Sequence, residues 1–375
     1  MNKLISTLLL LTVLWSCQQT KQQDTAQQTD YSAAIDSSRI ALKSVMDKTK
    51  VPGLSASVSI DGEMVWSEGF GYADLEAKKP VDPAHTLFRI GSVSKTLTAT
   101  GLALLFEKGL IKLDAEVQTY VPYFPRKAYP ITVRQVGGHI AGIRHYIGDE
   151  MYSSKFYPSV REGMEIFMND KLEFEPGTKY HYSSYGWNLI SAVMEGATGQ
   201  DFLTYMKEQV FQPLELHNTH PEQTQAPLSN TTRYYRFNNG ETEEAPFVDN
   251  SYKWAGGGFI STSEDLIKFG NAHLLLPGFL KTETLQEFIR PQMINDTTTT
   301  TYGIGWVNRI TADGVKYYGH SGGSVGGITM LAIYPEYNVV VALVSNSSNV
   351  SYNGVFHKMA AWFDTAKNSK SITLE

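Results

Sequence analysis

The strongest constraint on the fold is a pair of strand-forming stretches at opposite ends of a 375-residue chain. Near the start, Leu54-Ser55-Ala56-Ser57-Val58-Ser59-Ile60 alternates apolar and polar residues without a break, the pattern of a strand with one buried face. Asp61-Gly62 supplies a tight turn, and Glu63 to Gly69 returns as the hairpin partner. Near the end the arrangement recurs: Ile328 to Ile333, a Pro335-Glu336-Tyr337-Asn338 turn, then Val339 to Val344. A helical segment over Tyr31 to Lys48 precedes the first pair, and a helix around Val355 to Phe363 follows the second. Mostly helical and loop sequence lies between. The expectation is an α/β chain of the α+β kind, with one antiparallel sheet formed by both chain ends and flanked by helices. The sheet part falls at about 31–90 and 250–375, and a helical insert at about 91–250. A crevice between sheet and insert is where chemistry belongs.

Composition narrows the choices further. A single cysteine, Cys17, cannot form an intramolecular disulfide or a cysteine-rich metal cluster, so the fold rests on packing. A net charge of -6, with no basic run, argues against a nucleic-acid partner, whose phosphates must be neutralised. Cys17 follows Met1-Asn2-Lys3 and an apolar stretch from Leu4 to Trp15, too short for the ~20 residues of a spanning helix and suited to a signal-peptide core. Leu14-Trp15-Ser16-Cys17 resembles a bacterial lipobox, although Trp15 stands where a small or aliphatic residue is usual. Residues 1–16 are therefore expected to be a lipoprotein signal peptide and Cys17 a lipidated membrane anchor. The polar run from Gln18 to Asp30 is expected to complete a flexible tether over 17–30, with 31–375 as the folded domain. The expected location is an exported bacterial lipoprotein facing the periplasm. A secretory signal with an incidental cysteine is the plainer alternative.

Three clusters carry candidate chemistry. In Gly91-Ser92-Val93-Ser94-Lys95, serine and lysine stand three apart at the start of a helix predicted over Val93 to Lys108. That places them on one face, where the amine can take the serine proton. The chain contains this spacing once; the plain alternative is a helix cap beside a solvated lysine. In the second cluster, Glu175-Pro176-Gly177 turns into Tyr180-His181-Tyr182-Ser183-Ser184-Tyr185, ahead of a helix from Trp187 to Gly196. A phenol beside Lys95 could have its pKa lowered and act as a base. In the third, Gly319-His320-Ser321-Gly322-Gly323-Ser324-Val325-Gly326-Gly327, five glycines in nine residues let backbone N–H groups approach a ligand. This cluster also fits G-x-S-x-G, with Ser321 as the nucleophile of an α/β-hydrolase. The elbow of that fold needs a following helix, and Ile328 onward alternates like a strand.

Together, Ser92-x-x-Lys95, Tyr182-Ser183-Ser184 and His320-Ser321-Gly322 resemble the three motifs of the serine β-lactamase and penicillin-binding-protein family, in its class C branch. Phe174-Glu175-Pro176-Gly177, His139-x-x-Gly142 and Ala255-Gly256-Gly257-Gly258 fit as well. Gly142-Ile143-Arg144-His145-Tyr146 and Val248 to Phe259 resemble the family's animal mitochondrial branch. The resemblance covers nearly all of the folded chain and implies a β-lactamase/transpeptidase-like fold without cofactor or metal. It implies Ser92 as nucleophile, with Lys95 and Tyr182 sharing its proton, and the Ser92 and Gly323 N–H groups as the oxyanion hole. His320 is expected across the pocket, bonding Tyr182 or the substrate, with Ser184, Ser321 and Gly322 as substrate contacts. The substrate is then a small peptide, ester or β-lactam. His320 stands where lysine is usual and Ser184 where asparagine is usual, which favours a peptidase or esterase over an efficient β-lactamase. His217-x-x-His220 lacks metalloprotease spacing and is expected in a surface loop.

Overall fold

The computed structural model describes residues 29–274, 278–295 and 297–369. The expected signal peptide, Cys17 and most of the tether lie outside the described residues. The chain begins with helix α1 (Ser32–Thr49), then β1 (Gly53–Ile60), β2 (Glu63–Asp74) and the short β3 (Lys79–Pro80). A 3-10 turn at Gly91–Val93 opens α2 (Ser94–Glu107), and further into the helical region come α3 (Ser184–Thr198) and α4 (Ser263–Leu274). The chain then returns as β4 (Val307–Ile310), β5 (Lys316–Ser324), β6 (Gly327–Tyr334), β7 (Val339–Ser345) and α5 (Val355–Asn368).

These strands form one seven-stranded antiparallel sheet in the order β4-β5-β6-β7-β1-β2-β3. Its central seam joins the two chain ends, with β1 pairing β7 from Leu54↔Ser345 to Ile60↔Val339. The two-ended sheet expected from the sequence is present. Its second half starts later than expected, at Val307, and residues 250 to 306 hold mainly helices. Amphipathic sequence with a helical period, its apolar side including Leu266, Ile267 and Phe269 of α4, accounts for that shift.

The sheet separates two cores. On one face, Leu54, Ala56, Val58 and Ile60 meet the apolar stripes of the terminal helices, Leu42 and Val45 of α1 and Phe356, Met359 and Phe363 of α5. On the other, Val340, Ala342 and Val344 pack against α4, α2 and α3. The strand β1 was expected to bury one face; all eight of its residues are buried. Its serines face α4, where Ser55 and Ser57 bond Ser263 Oγ at 2.6 and 2.8 Å and Ser59 donates to Asn271 Oδ1 at 2.6 Å. Satisfied hydroxyls make that second face affordable to bury.

Within the second core, His273 of α4 is buried between Thr100 Oγ1 and the Phe269 carbonyl, at 2.9 and 2.7 Å. Burial pushes its pKa down to about 4, so the folded state holds it neutral. As pH falls below the ordinary histidine value of about 6.5, the unfolded chain takes up this proton first, and stability drops by up to about 3 kcal/mol before the folded group titrates. Chemical denaturation of His273→Gln is expected to show a loss between pH 7.5 and 4.5 smaller than that of the unmodified chain by about 2 kcal/mol.

Candidate active site

The site forms where the start of α2, the start of α3 and the edge of β5 converge. Ile90 ends an extended segment, and Gly91 takes a left-handed φ of 48° to swing the chain into the 3-10 turn that carries Ser92. A Cβ on Gly91 would lie 2.7–2.8 Å from the backbone of Gly323, and one on Gly322 only 1.9 Å from the Ile90 carbonyl. Two glycines are therefore required for β5 to lie directly against the serine turn. This approach puts Ser92 and Gly323 on the wall of one cleft, where their N–H groups can serve a common oxygen.

Lys95 sits one helical turn after Ser92 and is fully buried. Its Nζ lies 3.1 Å from Ser92 Oγ, 3.2 Å from Ser184 Oγ and 2.5 Å from the Gly256 carbonyl. No carboxylate pairs with it among the described residues. Burial, reinforced by the positive charge of Lys253, therefore drives its pKa well below the ordinary lysine value. A neutral amine has two N–H donors and one lone pair. The Gly256 carbonyl can only accept and Ser184 Oγ takes the second N–H, which leaves the lone pair for the Ser92 hydroxyl.

Tyr182 lies beside this pair, its ring centre 4.8 Å from Lys95 Nζ. The phenol was expected to have a lowered pKa; it is raised. Burial dominates, and the hydroxyls of Ser92 and Ser184 offset it only in part. Tyr182 is thus a neutral hydrogen-bonding group, able to relay a proton, while Lys95 is the group held in its basic form. Ser184 begins α3, capped by the Ser183 side chain on the Gly186 N–H. It lines the cleft, but its hydroxyl is engaged by Lys95.

His320 departs from expectation. It is buried on the inner side of β5, bonded through Nε2 to the Tyr302 hydroxyl at 2.9 Å and through Nδ1 to the Ser321 carbonyl at 2.5 Å. Its ring centre is 6.2 Å from that of Tyr182, without a hydrogen bond between them, and it does not line the cleft. Burial, with the nearby Lys95 amine, pushes its pKa down to about 3, so it carries no charge at neutral pH. Ser321 alternates to the exposed side of the strand, and Gly322 sits behind the serine turn, so neither lines the cleft. No helix follows Ser321, which excludes the nucleophile elbow. His220 is half-buried where His220–Pro221 pairs with Phe259–Ser261, rather than lying free at the surface; His217 is exposed.

Several residues without an assigned role complete the site. His145 Nδ1 accepts the Ser184 N–H at 3.2 Å, and burial lowers its pKa to about 4. His139, at a left-handed φ of 61°, accepts the Ser183 N–H at 3.1 Å and packs 4.3 Å from the Tyr182 ring. Tyr302 backs His139 and His320. Lys253 is buried and lines the cleft, with its pKa pushed down to about 8 by burial and then by Arg89. The signal for Lys253 was a lone basic residue inside the aromatic and glycine run Tyr252-Lys253-Trp254-Ala255-Gly256. The cleft holds about 540 Å³. A slightly larger cavity of about 590 Å³, behind Arg89 and Phe247, contains none of the motif residues and is not where this chemistry sits.

A serine hydrogen-bonded to a buried amine one turn away, beside a glycine-rich edge of an antiparallel sheet, defines the class: a β-lactamase/transpeptidase-like fold. The chain belongs to the family described as Beta-lactamase, which matches residues 40–360. It is 32% identical to the human serine beta-lactamase-like protein LACTB, mitochondrial, over 89% of this chain and 80% of that protein. It is 27% identical to penicillin-binding protein 4* of Bacillus subtilis, over 76% and 66%. Two solved structures share the fold: an octameric penicillin-binding protein homologue from Pyrococcus abyssi (TM-score 0.76, 23% identity, 87% of this chain and 77% of that one) and a D-amino acid amidase from Ochrobactrum anthropi (TM-score 0.76, 23% identity, 90% and 99%). At this level the chain is a serine-hydrolase-family protein.

The glycine contacts give a direct test. Gly322→Ala is expected to force β5 away from the serine turn and slow fluorophosphonate labelling about 100-fold or more, the usual cost of losing an oxyanion donor. Gly323→Ala, whose Cβ would meet only Ile328 at 3.7 Å, is expected to keep labelling within about threefold.

Proposed function

We propose that the protein is a serine hydrolase acting through an acyl-enzyme on a peptide or ester carbonyl. The observation that carries this is the contact between Ser92 Oγ and a fully buried Lys95 amine without an anionic partner. Lys95 takes the serine proton as Oγ bonds to the carbonyl carbon, and the Ser92 and Gly323 N–H groups face the oxygen on which charge develops. When the tetrahedral intermediate collapses, the bond to the leaving group breaks, and that group receives the proton from Lys95, directly or through the Tyr182 hydroxyl. A water then gives its proton to Lys95 as it attacks the acyl carbon. Ser92 Oγ takes the proton back as the acid departs.

A peptidase or esterase is favoured over a class C β-lactamase because the third motif presents no charge to the cleft: His320 is neutral and faces Tyr302. A slowly acylated peptidoglycan- or peptide-binding protein is the second reading, since Ser184 offers the substrate no amide and its oxygen already accepts from Lys95. The membrane partner and the periplasmic location are also proposed, on the Leu14-Trp15-Ser16-Cys17 sequence alone. Labelling of cells with an alkyne fatty acid is expected to mark the chain and to fail for Cys17→Ala.

A panel of nitrocefin, p-nitrophenyl esters and D-alanyl peptides separates these activities. Ester or peptide turnover is expected to exceed that of nitrocefin. Ser92→Ala is expected to abolish fluorophosphonate labelling and turnover, and Lys95→Met to lower kcat/KM by about 100-fold to 10,000-fold, the range of a general base. Because the active form of Lys95 is neutral, kcat/KM rises with pH through the Lys95 pKa, with its midpoint well below the usual lysine value of about 10.4. Labelling that survives Ser92→Ala, or an acid limb near that ordinary value, refutes this assignment.

A further inference from the structure

Lys253 has no role in the steps above, yet it sits in the same cleft under unusual conditions. It belongs to the 3-10 turn Ser251–Lys253, and its side chain is 5% exposed. Its Nζ lies 5.1 Å from the ring centres of both Tyr146 and Tyr252. Among the described residues its ammonium has neither an ion pair nor a hydrogen bond; the backbone N–H bonds the Asn250 carbonyl at 3.0 Å. A carboxylate that acts on it, Glu222, is already held by Arg89 at 2.8 Å and by Asn250 at 2.5 Å. A buried ammonium without an anion is costly, and aromatic faces compensate only part of the lost hydration.

The walls of the cleft carry the same bias. Besides Lys253, its lining includes Arg236, while none of the lining residues is an aspartate or glutamate. Arg236 forms a solvent-exposed ion pair with Glu243 at 2.7 Å, whereas Lys253 is the buried cation of this lining and has no ion pair among the described residues. The third-motif position, His320, is bonded to Tyr302, does not line the cleft and is neutral at physiological pH, so it supplies no charge there. The cleft therefore holds one compact ammonium between two aromatic rings, on the same wall system as Ser92. That fits a single negative charge on a flat group better than a phosphate, which calls for several donors.

We propose that Lys253 anchors a carboxylate on the substrate, making this a site for acyl compounds that carry a free acid group. The proposal rests on Ser92 being the reacting centre of the same cleft. It makes Lys253 a specificity residue, acting on substrate binding and not on the proton transfers.

The test uses two pairs of probes that differ in one charge. N-acetyl-dialanine and its C-terminal amide place the acid on the leaving side; N-succinyl-dialanine amide and N-acetyl-dialanine amide place it on the acyl side. Calorimetric binding is measured to Ser92→Ala, where no acylation takes place. In at least one pair the acid is expected to bind tenfold or more tightly than its neutral twin. Lys253→Met in the same background is expected to bring the twins within twofold, and Lys253→Arg to restore part of the difference. Equal binding of the twins in both pairs overturns the proposal, and so does an acid preference that survives Lys253→Met. If the methionine variant does not fold, the twin comparison on Ser92→Ala and its weakening by added salt decide the matter. Binding to Ser92→Ala is independent of acylation, so failure here leaves the labelling result at Ser92 standing, and failure of labelling leaves this result standing.

Discussion

The chemistry of this protein depends on keeping one amine dry. Lys95 is fully buried, bonded to a carbonyl and two hydroxyls and, among the described residues, paired with no carboxylate. In water a lysine holds its proton across the physiological range; here the lost hydration favours the neutral form, and the positive Lys253 adds to the effect. An aspartate at the position of Ser184 would reverse this by stabilising the ammonium. The serine there satisfies the amine without charging it, so the departure from the family's usual asparagine is compatible with a working base.

The rest of the fold can be understood as the means of closing that pocket. Joining β1 to β7 fixes both chain ends in one sheet, covered by α1 and α5 on one face and by α4 and the insert on the other. Because β5 belongs to this sheet and α2 to the insert, the pocket between them is built by elements far apart in sequence. Gly91 and Gly322 bring the two within backbone contact. The buried Arg89–Glu222 pair ties the rim together, since Arg89 also donates to the Val325 carbonyl at 2.7 Å and to that of Val248 at 3.3 Å. This pair also removes the carboxylate that would otherwise neutralise Lys253.

Much of this was legible in the sequence, for reasons of range. The period-two run of β1, the apolar runs of β6 and β7 and the spacing of Ser92 and Lys95 are local signals, and the structure keeps them. What lies on the hidden side of an element is not local. The serines of β1 looked solvent-facing because their partners, Ser263 and Asn271, come from a helix two hundred residues later. His320 was marked by its motif, but its direction follows from strand parity and from Tyr302, which no motif contains. For Tyr182 a cationic neighbour would lower the pKa, but with Lys95 favouring its neutral form burial is the largest influence and raises it, only partly offset by the Ser92 and Ser184 hydroxyls. Lys253 lies inside the Val248 to Phe259 stretch but in none of the three catalytic motifs, and its place in the cleft gives it meaning.

The central claim is the charge state of Lys95, and direct nitrogen NMR of the [15N]lysine-labelled protein tests it. At pH 8, where an ordinary lysine with a pKa of about 10.4 is protonated, one side-chain resonance that disappears in Lys95→Met is expected at the position of a neutral amine. A Lys95 resonance at the ammonium position at that pH would contradict the account.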